Sequence, residues 1–96
     1  MKVSYVYILH CADGSYYIGV TKNVFERFDE HQDGHYFDSY TYNRRPVELV
    51  YYTEFADIRK AIAFEKQIKK WSRSKKEALI GGKYGELPNL SKKRFK

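Results

Sequence analysis

The feature that most constrains the fold is a pair of apolar segments joined by a tight turn at the start of the chain. Residues 3–11 (VSYVYILHC) are rich in β-branched and aromatic side chains and contain neither glycine nor proline, which predicts a strand. Both alternating sets of side chains in this segment are apolar, so we expect the strand to be covered on both faces. Asp13 and Gly14 follow as a strong hairpin signal, and residues 16–20 (YYIGV) predict the second strand.

The first predicted helix begins after Asn23. Asn23 and Glu26 have the spacing of a capping box, in which each residue satisfies a backbone N–H at the start of a helix. The helix is expected to end near residues 31–32. Its apolar side is expected to consist of Val24, Phe25 and Phe28.

The rest of the chain predicts one further strand and two further helices. Residues 33–46 predict a loop, 47–54 (VELVYYTE) a third strand, and 57–71 and 74–80 helices, the last closed by Gly81-Gly82. This order predicts an α+β domain over residues 1–82, with a small three-stranded, mainly antiparallel sheet flanked by about three helices. Residues 83–96 are expected to form a basic tail.

The composition favours a polyanionic partner. The 96 residues include 18 Lys and Arg against 12 Asp and Glu, and thirteen of the cations lie at or after Arg59. Such a basic, aromatic-rich chain suits nucleic acid, although basicity can equally serve solubility. No apolar run reaches the ~18 residues of a membrane span, no secretory signal is evident, and Cys11 is alone, so a cytoplasmic protein without a membrane partner is expected.

One carboxylate stands out on the helix predicted for residues 57–71. The residues that recur at helical spacing form an apolar face: Ile58, Ala61, Ile62 and Ile68. Glu65 falls within that face, where a carboxylate is costly unless it is paired or bound to a metal. The alternative is a position at the edge of the face, where Glu65 reaches water or a lysine.

Arg27 and His31 form a second pair of interest. They lie four residues apart and therefore share one side of the first predicted helix. Together they could meet an anion, although an ordinary solvated face explains the pair equally well.

Taken with two short motifs, these residues resemble the GIY-YIG nucleases. Tyr5-Val6-Tyr7 departs from the first eponymous triplet at two positions, whereas Tyr17-Ile18-Gly19 matches the second. Arg27 follows Gly19 by eight residues, His31 lies one helical turn later, and Glu65 occurs on a later helix, as in that family. The chain is similar to the small, stand-alone bacterial members and to the N-terminal catalytic domain of the excision-repair nuclease.

The resemblance implies a catalytic set made of Tyr7, Tyr17, Arg27, His31 and Glu65. Tyr7 would be the general base, with its pKa lowered by Arg27, while Tyr17 would hydrogen-bond a phosphate oxygen or the attacking water. His31 would shuttle a proton or orient Tyr7. Glu65 would hold one Mg²⁺ or Mn²⁺ ion. Gly19 would allow a close approach of the backbone.

The expected substrate is DNA, including branched or single-stranded forms, with RNA left open. The expected nucleic-acid contacts are Lys22, Thr41, Arg44, Lys69, Lys70, Trp71, Arg73, Lys75 and Lys76. A purely structural loop role for Thr41 and Arg44, and a solvated helix face for the basic cluster, are the alternatives. The resulting hypothesis is a metal-dependent endonuclease, with a nucleic-acid-binding module of little or no activity as the alternative. DNA repair, recombination and defence against foreign DNA stay open as roles, as do any protein partners.

Overall fold

The computed structural model describes residues 2–82, so the predicted basic tail lies outside the described residues. The chain divides into two compact units, Met1–Lys66 and Gln67–Lys96. The elements are β1 (Ser4–Cys11), β2 (Tyr16–Thr21), α1 (Val24–Gln32), a 3₁₀ helix (Tyr42–Arg44), β3 (Val47–Phe55), α2 (Ile58–Lys69) and α3 (Arg73–Ile80). This order confirms the predicted α+β class. No helix between residues 2 and 82 is both long and apolar enough to cross a membrane.

The sheet is antiparallel throughout, with strand order β2-β1-β3. The central strand is β1. Both alternating sets of its side chains are largely buried, which confirms that this strand is covered on both faces. Tyr7 pairs with Gly19 on one neighbour and with Tyr52 on the other, so these three residues share one face of the sheet. On that face a buried cluster joins the sheet to α1. Its members are Tyr7, Leu9, Cys11, Val24 and Val47.

The start of α1 follows the predicted cap only in part. Asn23 Oδ1 accepts a hydrogen bond from the Glu26 N–H at 3.1 Å, but the Asn23 N–H is bound by Thr21 Oγ1 rather than by Glu26. The placement of Phe25 on the inner side is wrong, because Phe25 is 58% exposed. Val24 and His31 are buried seven residues apart, and Phe25 lies about 100° around the helix from that line.

The loop that follows α1 is tied to the β1–β2 turn by Arg44. Arg44 Nε lies 3.0 Å from Asp13 Oδ2, and its Nη1 donates to the Tyr40 carbonyl at 2.7 Å. The guanidinium also lies over the Tyr40 ring, 3.8 Å from its centre. The backbone adds a bond from the Ala12 N–H to the Arg44 carbonyl, so this loop has a defined position against the hairpin.

In the second unit, α3 begins at a serine cap. Ser72 Oγ accepts from the Lys75 N–H at 3.2 Å, and the helix ends at Gly81, as expected from the sequence. The left-handed residue after this end is Gly82, with φ of +74°.

Candidate functional site

The site is built around Tyr7, whose ring lies over Gly19 on the neighbouring strand. Tyr7 is 1% exposed, and a Cβ added at Gly19 would stand 2.5 Å from the Tyr7 hydroxyl oxygen. A side chain at position 19 would therefore occupy the space of the Tyr7 ring. Gly19 was predicted to let the backbone come close to the site; in the structure it lets the Tyr7 side chain come close to strand β2.

Tyr7, Arg27 and His31 form one group. Tyr7 Oη lies 3.1 Å from His31 Nε2, and the positive charge of Arg27 acts on the Tyr7 hydroxyl and lowers its pKa. The ring of Tyr17 packs beside them, with its centre 5.1 Å from the His31 ring and 6.2 Å from the Tyr7 ring. Four of the five residues of the expected catalytic set are thus neighbours in space.

Arg27 is held in place by two residues that sequence reasoning missed. Its Nε lies 3.3 Å from Glu30 Oε1, and its guanidinium lies 5.9 Å from the centre of the Tyr36 ring. The Tyr36 hydroxyl in turn donates to Glu30. The spacing of Arg27 and Glu30 on a helix could have revealed the first contact. Tyr36 comes from an irregular loop, for which no periodicity exists to predict a partner.

The electrostatics of the buried group differ from the expectation. Burial raises the pKa of Tyr7 well above its usual value, and Tyr17 raises it further. Arg27 does lower the Tyr7 pKa, as predicted, but its effect is smaller than that of burial. Burial and Arg27 lower the pKa of His31, with Glu30 opposing them. Both Tyr7 and His31 are therefore neutral at neutral pH.

An open cleft of about 500 Å³ lies next to this group. Arg27, Glu30 and Tyr36 line one part of it, and Lys22 and Ile58 line others. Two cations thus face a space that a phosphate group could enter, and Arg27 connects that space to the buried Tyr7.

Glu65 lies on α2 and is half-buried. Ile58 and Ile62, on the same side of that helix, are 44% and 39% exposed, whereas Ala61 is fully buried. Ile68, three residues after Glu65, is also fully buried, so Glu65 lies at the edge of the apolar face, in agreement with the alternative given for it. Ile58 lines the cleft, and Glu65 follows it by two helical turns, about 10 Å along the axis.

A hard cation with few protein ligands is compatible with the carboxylate of Glu65. Between residues 2 and 82 no three His, Cys, Asp or Glu residues are grouped so that they could hold a metal ion. Zn²⁺ in proteins usually has three or four such ligands, whereas Mg²⁺ is commonly held by one or two carboxylates, with water and substrate phosphate completing its shell. A single carboxylate such as Glu65 is compatible with Mg²⁺ or Mn²⁺.

Of the three nucleic-acid contacts predicted in the first unit, only Lys22 is exposed at the cleft, as a contact should be. Thr41 is 1% exposed and its hydroxyl faces His31, so it does not line a groove. Arg44 is engaged by Asp13 and Tyr40, in agreement with the structural alternative for this residue.

The basic cluster of the second unit lies at the end of α2 and on α3. Lys75 Nζ stands 4.7 Å from the centre of the Trp71 ring, and Arg73 Nε pairs with Glu77 Oε2 at 3.0 Å. Trp71 is half-buried, so only part of its ring is open to a base. Lys69, Lys70 and Lys76 remain predicted contacts.

Comparison with known proteins identifies relatives over most of the chain. The GIY-YIG catalytic domain matches residues 3–78. A UPF0213 protein of Syntrophus aciditrophicus is 44% identical over 80 residues, which cover 83% of this chain and 92% of that protein. A UPF0213 protein of Natronomonas pharaonis is 44% identical over 81 residues, covering 84% and 94%.

Two solved structures have the same fold. The solution structure of the UPF0213 protein BH0048 from Bacillus halodurans has a TM-score of 0.55 and 38% identity, covering 98% of this chain and 99% of that one. The solution structure of EF2693 from E. faecalis has a TM-score of 0.60 and 34% identity, covering 85% and 86%.

Proposed function

Because this chain belongs to the GIY-YIG family of nuclease domains, we propose that it is a divalent-metal-dependent endonuclease that hydrolyses phosphodiester bonds in DNA. Its choice of substrate is structure-selective or only weakly sequence-specific. The observation that carries the proposal is the grouping of Tyr7, Tyr17, Arg27 and His31 beside a cleft that also presents Lys22.

Hydrolysis requires an acceptor for the proton of the attacking water. Burial raises the pKa of Tyr7, so the phenolate that would act as the base is hardly populated at neutral pH. The Tyr7 hydroxyl can instead take the water proton while its own proton moves to His31 Nε2, 3.1 Å away. The water oxygen then bonds to phosphorus, and the bond to the 3′ oxygen breaks with its electron pair left on that oxygen, which takes a proton from solvent. Tyr7 ends the step neutral, and His31 carries the proton.

The cations of the cleft stabilise the charge that develops on the phosphoryl oxygens. Arg27 presents a planar fork of N–H donors suited to phosphate, and Glu30 fixes its orientation. Lys22, which is exposed and lines the cleft, adds a second positive charge. Tyr17 supplies a hydroxyl beside the buried group. Such donors, fixed before substrate arrives, are the usual source of a large rate enhancement.

Glu65 is the residue that would hold the metal. A divalent ion there would polarise the scissile phosphate and stabilise the leaving 3′ oxygen. Glu65 is half-buried, and a Mg²⁺ ion held by one carboxylate would take water and substrate phosphate as its remaining ligands.

The test compares Glu65→Gln with Glu48→Gln. Both substitutions remove one negative charge, so they should change non-specific DNA affinity to the same extent. Glu48 is an exposed residue on β3 with no proposed role in catalysis and therefore serves as the control. Supercoiled plasmid, single-stranded DNA and branched DNA are incubated with each protein in Mg²⁺, Mn²⁺ or EDTA. Cutting by wild type and Glu48→Gln in metal, but not by Glu65→Gln, is the expected result. Equal cutting by all three proteins would refute the role of Glu65.

The alternative is a nucleic-acid-binding module without turnover. The raised pKa of Tyr7 favours it, since a buried phenol that stays protonated is not by itself a base for the attacking water. This alternative predicts salt-dependent binding to all three DNA forms and no cutting of any of them in either metal.

A further inference from the structure

The hydroxyl of Thr41 hydrogen-bonds His31 instead of capping the helix that Thr41 precedes. Thr41 precedes the 3₁₀ helix as its N-cap residue, where threonine ordinarily accepts a hydrogen bond from an N–H of the helix. Its side chain makes no such bond. Instead Oγ1 lies 2.7 Å from His31 Nδ1, and the residue is 1% exposed. The Thr41 hydroxyl thus contacts the buried site rather than the end of the helix.

We propose that Thr41 is a positioning residue, which accepts a hydrogen bond from the Nδ1–H of His31 and so keeps Nε2 of the same ring open to the Tyr7 proton. A neutral imidazole has one protonated nitrogen, and the partner of Nδ1 therefore decides whether Nε2 donates or accepts. The catalytic consequence rests on the proposed nuclease function, but the tautomer of His31 can be measured independently of it.

The direction of the Tyr7–His31 bond follows from the burial of Tyr7 and the charge of Arg27. Arg27 lowers the pKa of Tyr7, so its positive charge acts on the Tyr7 oxygen, and a guanidinium carries no acceptor for the Tyr7 hydrogen. His31 Nε2, 3.1 Å from the Tyr7 oxygen, is the acceptor available. In the opposite tautomer His31 would donate to Tyr7, and the buried hydroxyl hydrogen would have no acceptor among the hydrogen bonds of the described residues, which is costly.

The hydrogen of Thr41 also has a destination. Ser39 Oγ lies 3.1 Å from Thr41 Oγ1 and can accept from it. Ser39 is fixed in turn, because its N–H bonds the Tyr36 carbonyl and its carbonyl accepts from the Tyr42 N–H. The loop between α1 and β3 thus supplies an acceptor for the Thr41 hydrogen, which leaves the Thr41 oxygen able to accept from His31.

The test reads the ring nitrogens of His31 by ¹⁵N NMR in the protein without metal or nucleic acid. Wild type is expected to show a protonated Nδ1 and an unprotonated Nε2. Thr41→Val keeps the shape but removes the hydroxyl, and should shift His31 towards the Nε2-protonated form. Thr41→Ser should restore the wild-type spectrum. Thr21→Val is the matched control, because Thr21 is also buried but bonds Asn23 rather than His31.

The cleavage assay adds a second readout. Thr41→Val should lower kcat by about 3- to 10-fold, the ratio expected for one lost hydrogen bond, with KM unchanged and with recovery in Thr41→Ser. A wild-type His31 protonated at Nε2, or a Thr41→Val spectrum identical to wild type, would overturn the proposal. If no variant cuts DNA, the nuclease proposal fails, while the NMR comparison still decides the role of Thr41.

Discussion

Replacing Gly19 by alanine should damage both the site and the stability of the fold through one displaced side chain, that of Tyr7. The added methyl carbon would stand 2.5 Å from Tyr7 Oη, 2.7 Å from Cζ and 2.9 Å from Cε1. Since unstrained contacts between carbon atoms begin near ~3.5 Å, the ring must move by about 1 Å. That movement takes the hydroxyl out of hydrogen-bond range of His31.

The magnitude follows from two contributions to the free energy of unfolding. Overpacking of this kind costs about 1–3 kcal/mol, and the lost hydrogen bond about 1 kcal/mol. A total of about 2–4 kcal/mol should lower Tm by roughly 10–25 °C in a domain of this size. A displacement of about 1 Å at a catalytic group should lower kcat by about 100-fold.

Gly14→Ala is the matched control for this prediction. Gly14 has φ of +89°, and a Cβ there would meet nothing within 4 Å. Alanine at position 14 should therefore cost about 1–2 kcal/mol through backbone strain while leaving Tyr7 undisturbed. Urea unfolding followed by circular dichroism measures both costs, and the plasmid assay measures the rates.

A double-mutant cycle with Tyr7→Phe tests the reasoning without reference to activity. Phenylalanine removes the hydroxyl and with it the closest contact, so Gly19→Ala should cost at least about 0.5 kcal/mol less in that background. Strictly additive costs, or a Gly19→Ala protein as stable as wild type, would refute the steric explanation of Gly19.

Three further outcomes are expected. Folding lowers the pKa of His31, chiefly by burial, so below the ordinary histidine pKa of about 6.5 the unfolded chain binds more protons than the folded protein. The Tm should therefore fall as the pH decreases from 7 to 5, and it should fall less in His31→Gln. Arg27→Ala should leave the circular dichroism spectrum intact but lower kcat by about 100-fold or more, and unfolding of this variant would indicate a structural role instead. Arg44→Ala should lower Tm by only a few degrees and speed amide hydrogen exchange at Ala12, whose N–H bonds the Arg44 carbonyl; unchanged exchange would show that the side chain does not hold the loop.

The sequence by itself determined the elements and their order. The hairpin between β1 and β2 depends on side-chain alternation and on an Asp-Gly turn, and the start of α1 depends on Asn23. These are local effects, which act between residues a few positions apart, and so they can be recognised in the chain without knowledge of the fold. The family motifs likewise identified Tyr7, Tyr17, Arg27 and His31 as a candidate group.

Only the tertiary structure decided how that group is connected. Thr41 was taken for a contact with nucleic acid and is a buried partner of His31, while Glu65 lies on a partly open side of α2. Gly19 was expected to bring backbone near the site, and it instead leaves space for the Tyr7 ring. Such relations join residues from separate strands, helices and loops. They depend on register and packing, which no short sequence pattern specifies. Burial, which sets the pKa of Tyr7 and hence its dependence on His31, arises only when those elements are assembled.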